Sequence, residues 1–250
     1  MNYSWSWTVF FDISTDGVHS YAANFLIGMG WTLLLAALAI TFALLAGALV
    51  ALMRMSNSAT FSRIAAGYVE VLRNIPLIVQ MFLWYFVLPE LLPRALGTAI
   101  KQMPQPWGSF APALLCLGFY GAARISEVFR AGIQSLPRGQ FQAATAIGLT
   151  DFQAFRYVIF PEALRIVLPA LTSEFVSAVK YSSVAYTIGL GEVTAQAKSM
   201  QEYTFHIFEA FAAAGVIYVA INWTIILAMR AVERRLRVPG LLGSVPANAE

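Results

Sequence analysis

Apolar residues in this chain gather into runs long enough that length, more than periodicity, predicts the elements. A helix needs about 20 mostly apolar residues to cross the hydrocarbon core of a bilayer. Gly28 to Met53 exceeds that length, and Ile75 to Leu92 reaches it when extended back toward Phe61. Phe110 to Phe129 is a third run, interrupted by Arg124 and Glu127, and Leu164 to Leu190 is a fourth, containing Glu174 and Lys180. Phe208 to Met229 is the fifth. The expected fold class is an all-α integral membrane protein, a five-helix transmembrane bundle. An N-terminal segment (1–20) precedes one membrane domain (21–238), and a small polar tail (239–250) follows it.

Details within the runs refine this picture. Ala39, Ala43, Gly47 and Ala51 recur every four residues, a small-residue stripe that lets another helix come close. Internal packing and a subunit contact both suit it. Pro76 should kink the second span or end a preceding helix. The stretch from Pro89 to Pro112, with Pro93, Pro104 and Pro106, reads as an irregular connection.

Charge sets the orientation. With the N-terminus outside, ten Lys/Arg fall on the inner side and three (Arg94, Lys101, Lys198) on the outer side, while Arg73, Arg124 and Lys180 lie in or beside spans. The positive-inside rule therefore predicts an N-out, C-in topology. Composition agrees with lipid as the solvent: 59% of the 250 residues are hydrophobic and 12% charged, against about 25% charged in soluble domains. A net charge of +3 does not indicate nucleic acid. Cys116 is the sole cysteine, so no intrachain disulfide can form. Met1 to Ser20 lacks the pattern of a cleavable signal peptide, and Trp5 and Trp7 suit a membrane interface.

Between the third and fourth runs lie two short amphipathic helices. The first is expected from about Gly139 to Ile147, stopping at Gly148, a residue suited to a left-handed cap. The second starts at Thr150, where Thr150 and Gln153 have capping-box spacing, and is expected to end at Pro161. By periodicity alone this loop could rest on the inner leaflet or seat in a partner.

The exact residues of that loop (about 136–162) resemble the coupling loop of ABC importer membrane subunits: Glu-Ala-Ala, three residues, Gly, nine residues, Ile-x-Leu-Pro. The matching positions are Gln142, Ala143, Ala144, Gly148, Val158, Phe160 and Pro161. The Gln in place of Glu removes one charge from the motif. The run from Tyr68 to Gln80, the stretch Glu127 to Gln140 around Gly139, and Lys180-Tyr-Ser182-Ser183 before Ile188-Gly189 also resemble the polar amino-acid uptake branch. Arg73 to Gln80, Leu88 to Pro93, and Val232 to Arg235 with Pro239-Gly240 are similar to a glutamate/aspartate importer permease. The resemblance implies an inner-membrane transport subunit that is not itself an enzyme. Its implied partners are an ABC ATPase dimer carrying ATP and Mg, a second membrane subunit (homologous or identical), a periplasmic or extracellular amino-acid-binding protein, and lipid. Consistently, the chain has no Gly-x-x-x-x-Gly-Lys-Ser/Thr nucleotide loop of its own.

Charged residues inside apolar runs are costly and normally face a cavity or a partner. Arg124 and Glu127 stand three apart and could pair with each other. Alternatively, Arg124 occupies a position where the wider branch commonly has Tyr, and it could hold a substrate carboxylate while Glu127 orients it. Lys180 could snorkel to the interface or serve as a second cation, followed by the hydroxyls of Ser182 and Ser183. Arg73, a further substrate-binding candidate, could pair with Glu70 three positions before it, as a gate or as a structural contact. Glu174 has no role assignable from sequence. The isolated His19 and His206 predict no metal site, and no catalytic residue is expected. A gradient-driven carrier, or the same machinery serving another polar amino acid, remains compatible with these residues.

Overall fold

In the computed structural model, residues 3–236 are described; the tail expected at 239–250 lies outside them. Among these residues a 3₁₀ turn, Trp7–Phe11, leads into ten helices, and a second 3₁₀ stretch lies at Ser183–Ile188. These are α1 (Tyr21–Met55), α2 (Ala59–Asn74), α3 (Leu77–Leu91, with a π turn at Leu83–Val87), α4 (Arg94–Lys101) and α5 (Trp107–Gln134). They continue as α6 (Arg138–Ala146), α7 (Asp151–Ala154), α8 (Phe160–Ser182), α9 (Val193–Thr204) and α10 (Ile207–Leu236).

Three of these, α1, α5 and α10, are long and apolar enough to cross a membrane. The α2–α3 pair makes a fourth crossing if the two are one broken span, bent by 105°. Pro76 lies at that break, as expected. Helix α8 has 23 residues, about 35 Å at 1.5 Å per residue, but its charges keep it from qualifying on composition.

The small-residue stripe packs inside the chain. Ala39, Ala43 and Ala51 are at most 2% exposed, and a Cβ on Gly47 would lie 2.9 Å from Ile125 Cγ2 and 3.0 Å from the Ala122 carbonyl oxygen. This close approach makes α1 and α5 the central pair. They run parallel: Trp31 of α1 meets Trp107 at the start of α5, ring centroids 5.5 Å apart, and Arg54 at the end of α1 meets Glu127 near the end of α5. These mark a tryptophan end and an arginine end. Helix α8 runs the opposite way. It meets α5 at the arginine end through Gly132 and Val167, and Ala36 of α1 and Ile221 of α10 near its finish through Val179.

Two expectations about prolines fail. The Pro89–Pro112 connection contains α4, which backs onto the Pro89 carbonyl at Gly97, where a Cβ would come within 2.2 Å of that oxygen; Pro112 itself lies inside α5. Pro161 does not end a helix either, because α7 and α8 are joined by a π turn at Phe155–Ile159 into one helical run. The capping box at Thr150 and Gln153 is present, and Gly148 adopts φ +86° as the left-handed cap of α6.

Candidate functional site

A two-point ion pair joins α5 to α8. Arg124 donates from Nε and Nη2 to the two carboxylate oxygens of Glu174, each at 2.8 Å. This is the parallel fork that a guanidinium forms and an ammonium cannot. Tyr120, one turn earlier on α5, and Tyr181 on α8 hold their rings 6.0 and 5.8 Å from the guanidinium carbon, where the ring faces favour a cation. Glu174, Ala178 and Tyr181 follow the i, i+4, i+7 spacing of one helix face. With Ala39 and Ala43 of α1 and Leu117 and Gly121 of α5, they wall a cavity of about 20 Å³, enough for one water. The Arg124 side chain is 32% exposed and that of Glu174 12%, so the cation is the more accessible partner.

A second cluster lies at the arginine end. Glu127 pairs with Arg54 of α1 and accepts from Arg130 Nη2 at 2.8 Å, and Arg73 Nη1 stops 4.0 Å away. Three guanidiniums around one carboxylate leave a net positive charge there. The expected Arg124–Glu127 pair is therefore not formed, and Glu127 does not orient Arg124. Each finds a partner on another helix, which a spacing argument confined to α5 could not reveal. Arg73 likewise leans toward Glu127 and not toward Glu70.

The remaining site expectations fare unevenly. Lys180 is exposed, with no carboxylate in ion-pair range among the described residues, and it is not among the residues lining the Arg124 cavity. Ser182 is fully buried and donates to the Val179 carbonyl at 2.7 Å; Ser183 donates to the Lys180 carbonyl at 2.7 Å. Both hydroxyls are thus occupied by their own helix. In the loop, Gly139, Gln142, Ala143 and Gly148 are exposed, whereas Ala144 is 3% exposed and faces inward. Ile147 and Phe152 stand out at 78% and 72% exposed.

Several polar residues escaped the sequence reading. Glu174 is one. Glu192, fully buried, accepts from Ala195 N at 2.8 Å and from the Tyr218 hydroxyl at 2.6 Å, capping α9. Glu209, inside the fifth apolar run and fully buried, accepts from Ser6 N at 2.8 Å and from the Tyr3 hydroxyl, fastening the N-terminal segment to the start of α10. The available signal was a carboxylate in an apolar run, which must have a donor somewhere. Finding that donor required the fold.

Several membrane-length helices packed together, with a forked ion pair between two of the long helices, define a multi-pass membrane protein. The chain belongs to the family described as the binding-protein-dependent transport system inner membrane component, which matches residues 39–238. It is thus a transport component and not by itself an enzyme. It is 43% identical to the glutamate/aspartate import permease protein GltJ of Escherichia coli (strain K12), over 97% of this chain and 99% of that one. Identity to the glutamate/aspartate import permease protein GltK of Escherichia coli O6:H1 is 31%, over 83% of this chain and 91% of that one. Among solved structures, the crystal structure of an amino acid ABC transporter with histidines aligns at a TM-score of 0.74 and 35% identity, covering 86% of this chain and 95% of that one.

Proposed function

We propose that this chain is a membrane subunit of an ATP-driven importer that moves glutamate or aspartate inward by alternating access. The likeness to GltJ along nearly the whole of both chains carries the substrate assignment. In this reading the tryptophan end faces outward and the arginine end faces the cytosol, an orientation that the bias of Lys and Arg supports. The five crossings are α1, the α2–α3 pair, α5, α8 and α10. The chain enters from outside, where Tyr3 and Ser6 tie its first residues to the start of α10.

Helix α6 and the turn after it serve as the coupling element. Gln142, Ala143 and Gly148, with the exposed side chains of Ile147 and Phe152, offer a compact surface to an ABC ATPase dimer that carries ATP and Mg. Gly139 allows close approach beside them. Because α7 and α8 form one run through Pro161, motion at this surface passes directly into α8 and its Glu174. A second membrane subunit, homologous or identical, completes the pathway, as the similarity to both GltJ and GltK suggests. An external amino-acid-binding protein delivers the substrate.

Within the pathway Arg124 receives a substrate carboxylate, with Glu174 taking the orienting part expected of Glu127. Lys180, beside Ser183, is a second cation near the outer end. Arg73 lies beside Glu127 on the way out. Ser182 is sealed in the protein and takes no part. One observation favours a broader cargo: the Arg124–Glu174 pair has no feature specific to an acidic side chain, so another polar amino acid would also suit it.

The test is ATP-driven uptake into vesicles holding the complete complex. Arg124→Tyr should lower glutamate and aspartate uptake at least about tenfold, the effect of one lost charge-assisted hydrogen bond, with the ATPase still bound. Undiminished uptake would overturn the site. Uptake driven by an ion gradient in vesicles without the ATPase would replace the importer by a carrier.

A further inference from the structure

We infer that Gln140 and Glu162 are positioning residues whose side-chain bond fixes α6 to the start of α8, so that movement of the loop reaches the long helix. This rests on the reading of α6 as the coupling element and names the contact through which that element acts. Helices α7 and α8 form one helical run, but α6, which carries Gln142 and Ala143, stands outside it. Between them the chain turns at Gly148, with φ +86°, and then passes the π turn at Phe155–Ile159. A glycine turn and a π turn are both places where a backbone yields, so a link through the backbone alone would lose motion at each. Gln140 Nε2 donates to Glu162 Oε1 at 2.7 Å. That bond joins the first turn of α6 to the first turn of α8 and bypasses both.

Apolar packing is present here too: Leu136, Ile159 and Ala163 are buried together, with Phe155 and Ile166 against them. Contacts of that kind hold surfaces together but have no direction. A hydrogen bond to a carboxylate weakens steeply as its angle opens, and so it fixes one register of α6 on α8. The remaining atom of the amide points the same way. Gln140 Oε1 is buried with no partner among the described residues. The amide cannot turn to use it, because turning would set that oxygen against the Glu162 carboxylate. A buried amide with half its bonds unmade is a poor choice for stability, since a leucine of similar volume would leave no polar atom bare. The residue makes sense by the position it imposes and not by the stability it adds.

The test uses the complete complex in proteoliposomes with the external binding protein, and reads two quantities: substrate taken up per ATP hydrolysed, and the midpoint of thermal unfolding. Gln140→Leu should lower uptake per ATP at least about threefold, part of the roughly tenfold shift that one charge-assisted hydrogen bond can hold. ATP hydrolysis should continue and the midpoint should not fall. Gln140→Glu sets two carboxylates face to face and should lower the ratio as well. Adding Glu162→Gln to it rebuilds the bond with donor and acceptor exchanged, and should restore the ratio. An unchanged ratio in Gln140→Leu, or a double variant no better than Gln140→Glu, overturns the inference. So does a midpoint that drops in step with uptake in Gln140→Leu, which would make the bond a structural one only. Ala143→Arg, on the exposed side of α6, separates the two levels: if ATPase retention and uptake are untouched, α6 is not the coupling element. If it blocks either one while Gln140→Leu leaves the ratio unchanged, only the role of Gln140 and Glu162 fails.

Discussion

Pro76 has no N–H to offer the Leu72 carbonyl four residues earlier, and inside a membrane no water replaces it. Gln80 does: its Nε2 donates to Leu72 O at 2.7 Å and to Ile75 O at 2.8 Å, and the side chain is 2% exposed. One amide thus satisfies both carbonyls at the 105° break. Its own Oε1 has no partner among the described residues, which offsets part of the gain. Gln80→Leu keeps the volume but leaves both carbonyls bare, at about 1–3 kcal/mol each. The expected net loss is about 2 kcal/mol, read as an earlier midpoint in a denaturing-detergent titration. A midpoint that does not move would mean the break is held by packing alone. Pro76 was legible as a break in the sequence. That Gln80 reaches back to close it was not, since a side-chain bond of this kind leaves no periodic trace.

Helical elements pass two further prolines by a different device, a π turn. Before Pro89 the Leu88 N–H bonds to Leu83 O, and before Pro161 the Phe160 N–H bonds to Phe155 O, each a π turn placed just ahead of the ring. The wider turn lets the helix continue where an α-turn would set the proline ring against a carbonyl. This is why Pro161, expected as a terminus, lies within a run that links the arginine-end loop to α8. Contact between elements is set by glycine and alanine. Gly47 has the Ala122 backbone and Ile125 within 3.0 Å of its missing Cβ, whereas Gly30, on the same helix, has nothing within 4 Å. Gly47→Leu should force α1 from α5 and sharply reduce the yield of assembled complex, and Gly30→Leu should not. Equal yields by size-exclusion chromatography would count against the tight α1–α5 seam.

At the scale of the whole molecule, the proposed coupling surface predicts a specific pattern of crosslinks. Cysteines at Gly148 or Phe152, both exposed, should join to the ATPase in the assembled complex, and a cysteine at Ala144, buried within the chain, should not. Labelling of position 144 but not 148 would reverse the proposed face. The sequence by itself determined that the chain lives in lipid, which segments are the most apolar, which loop is amphipathic and which family it resembles, because apolar run length and short motifs are local properties written in consecutive residues. Only the tertiary structure decided which charge meets which. Arg124 chose Glu174, fifty positions away, over Glu127 three positions away, because in a medium of low polarity an ion pair forms where helix packing brings opposite charges together, and packing is set by the shapes of faces that the linear order does not display.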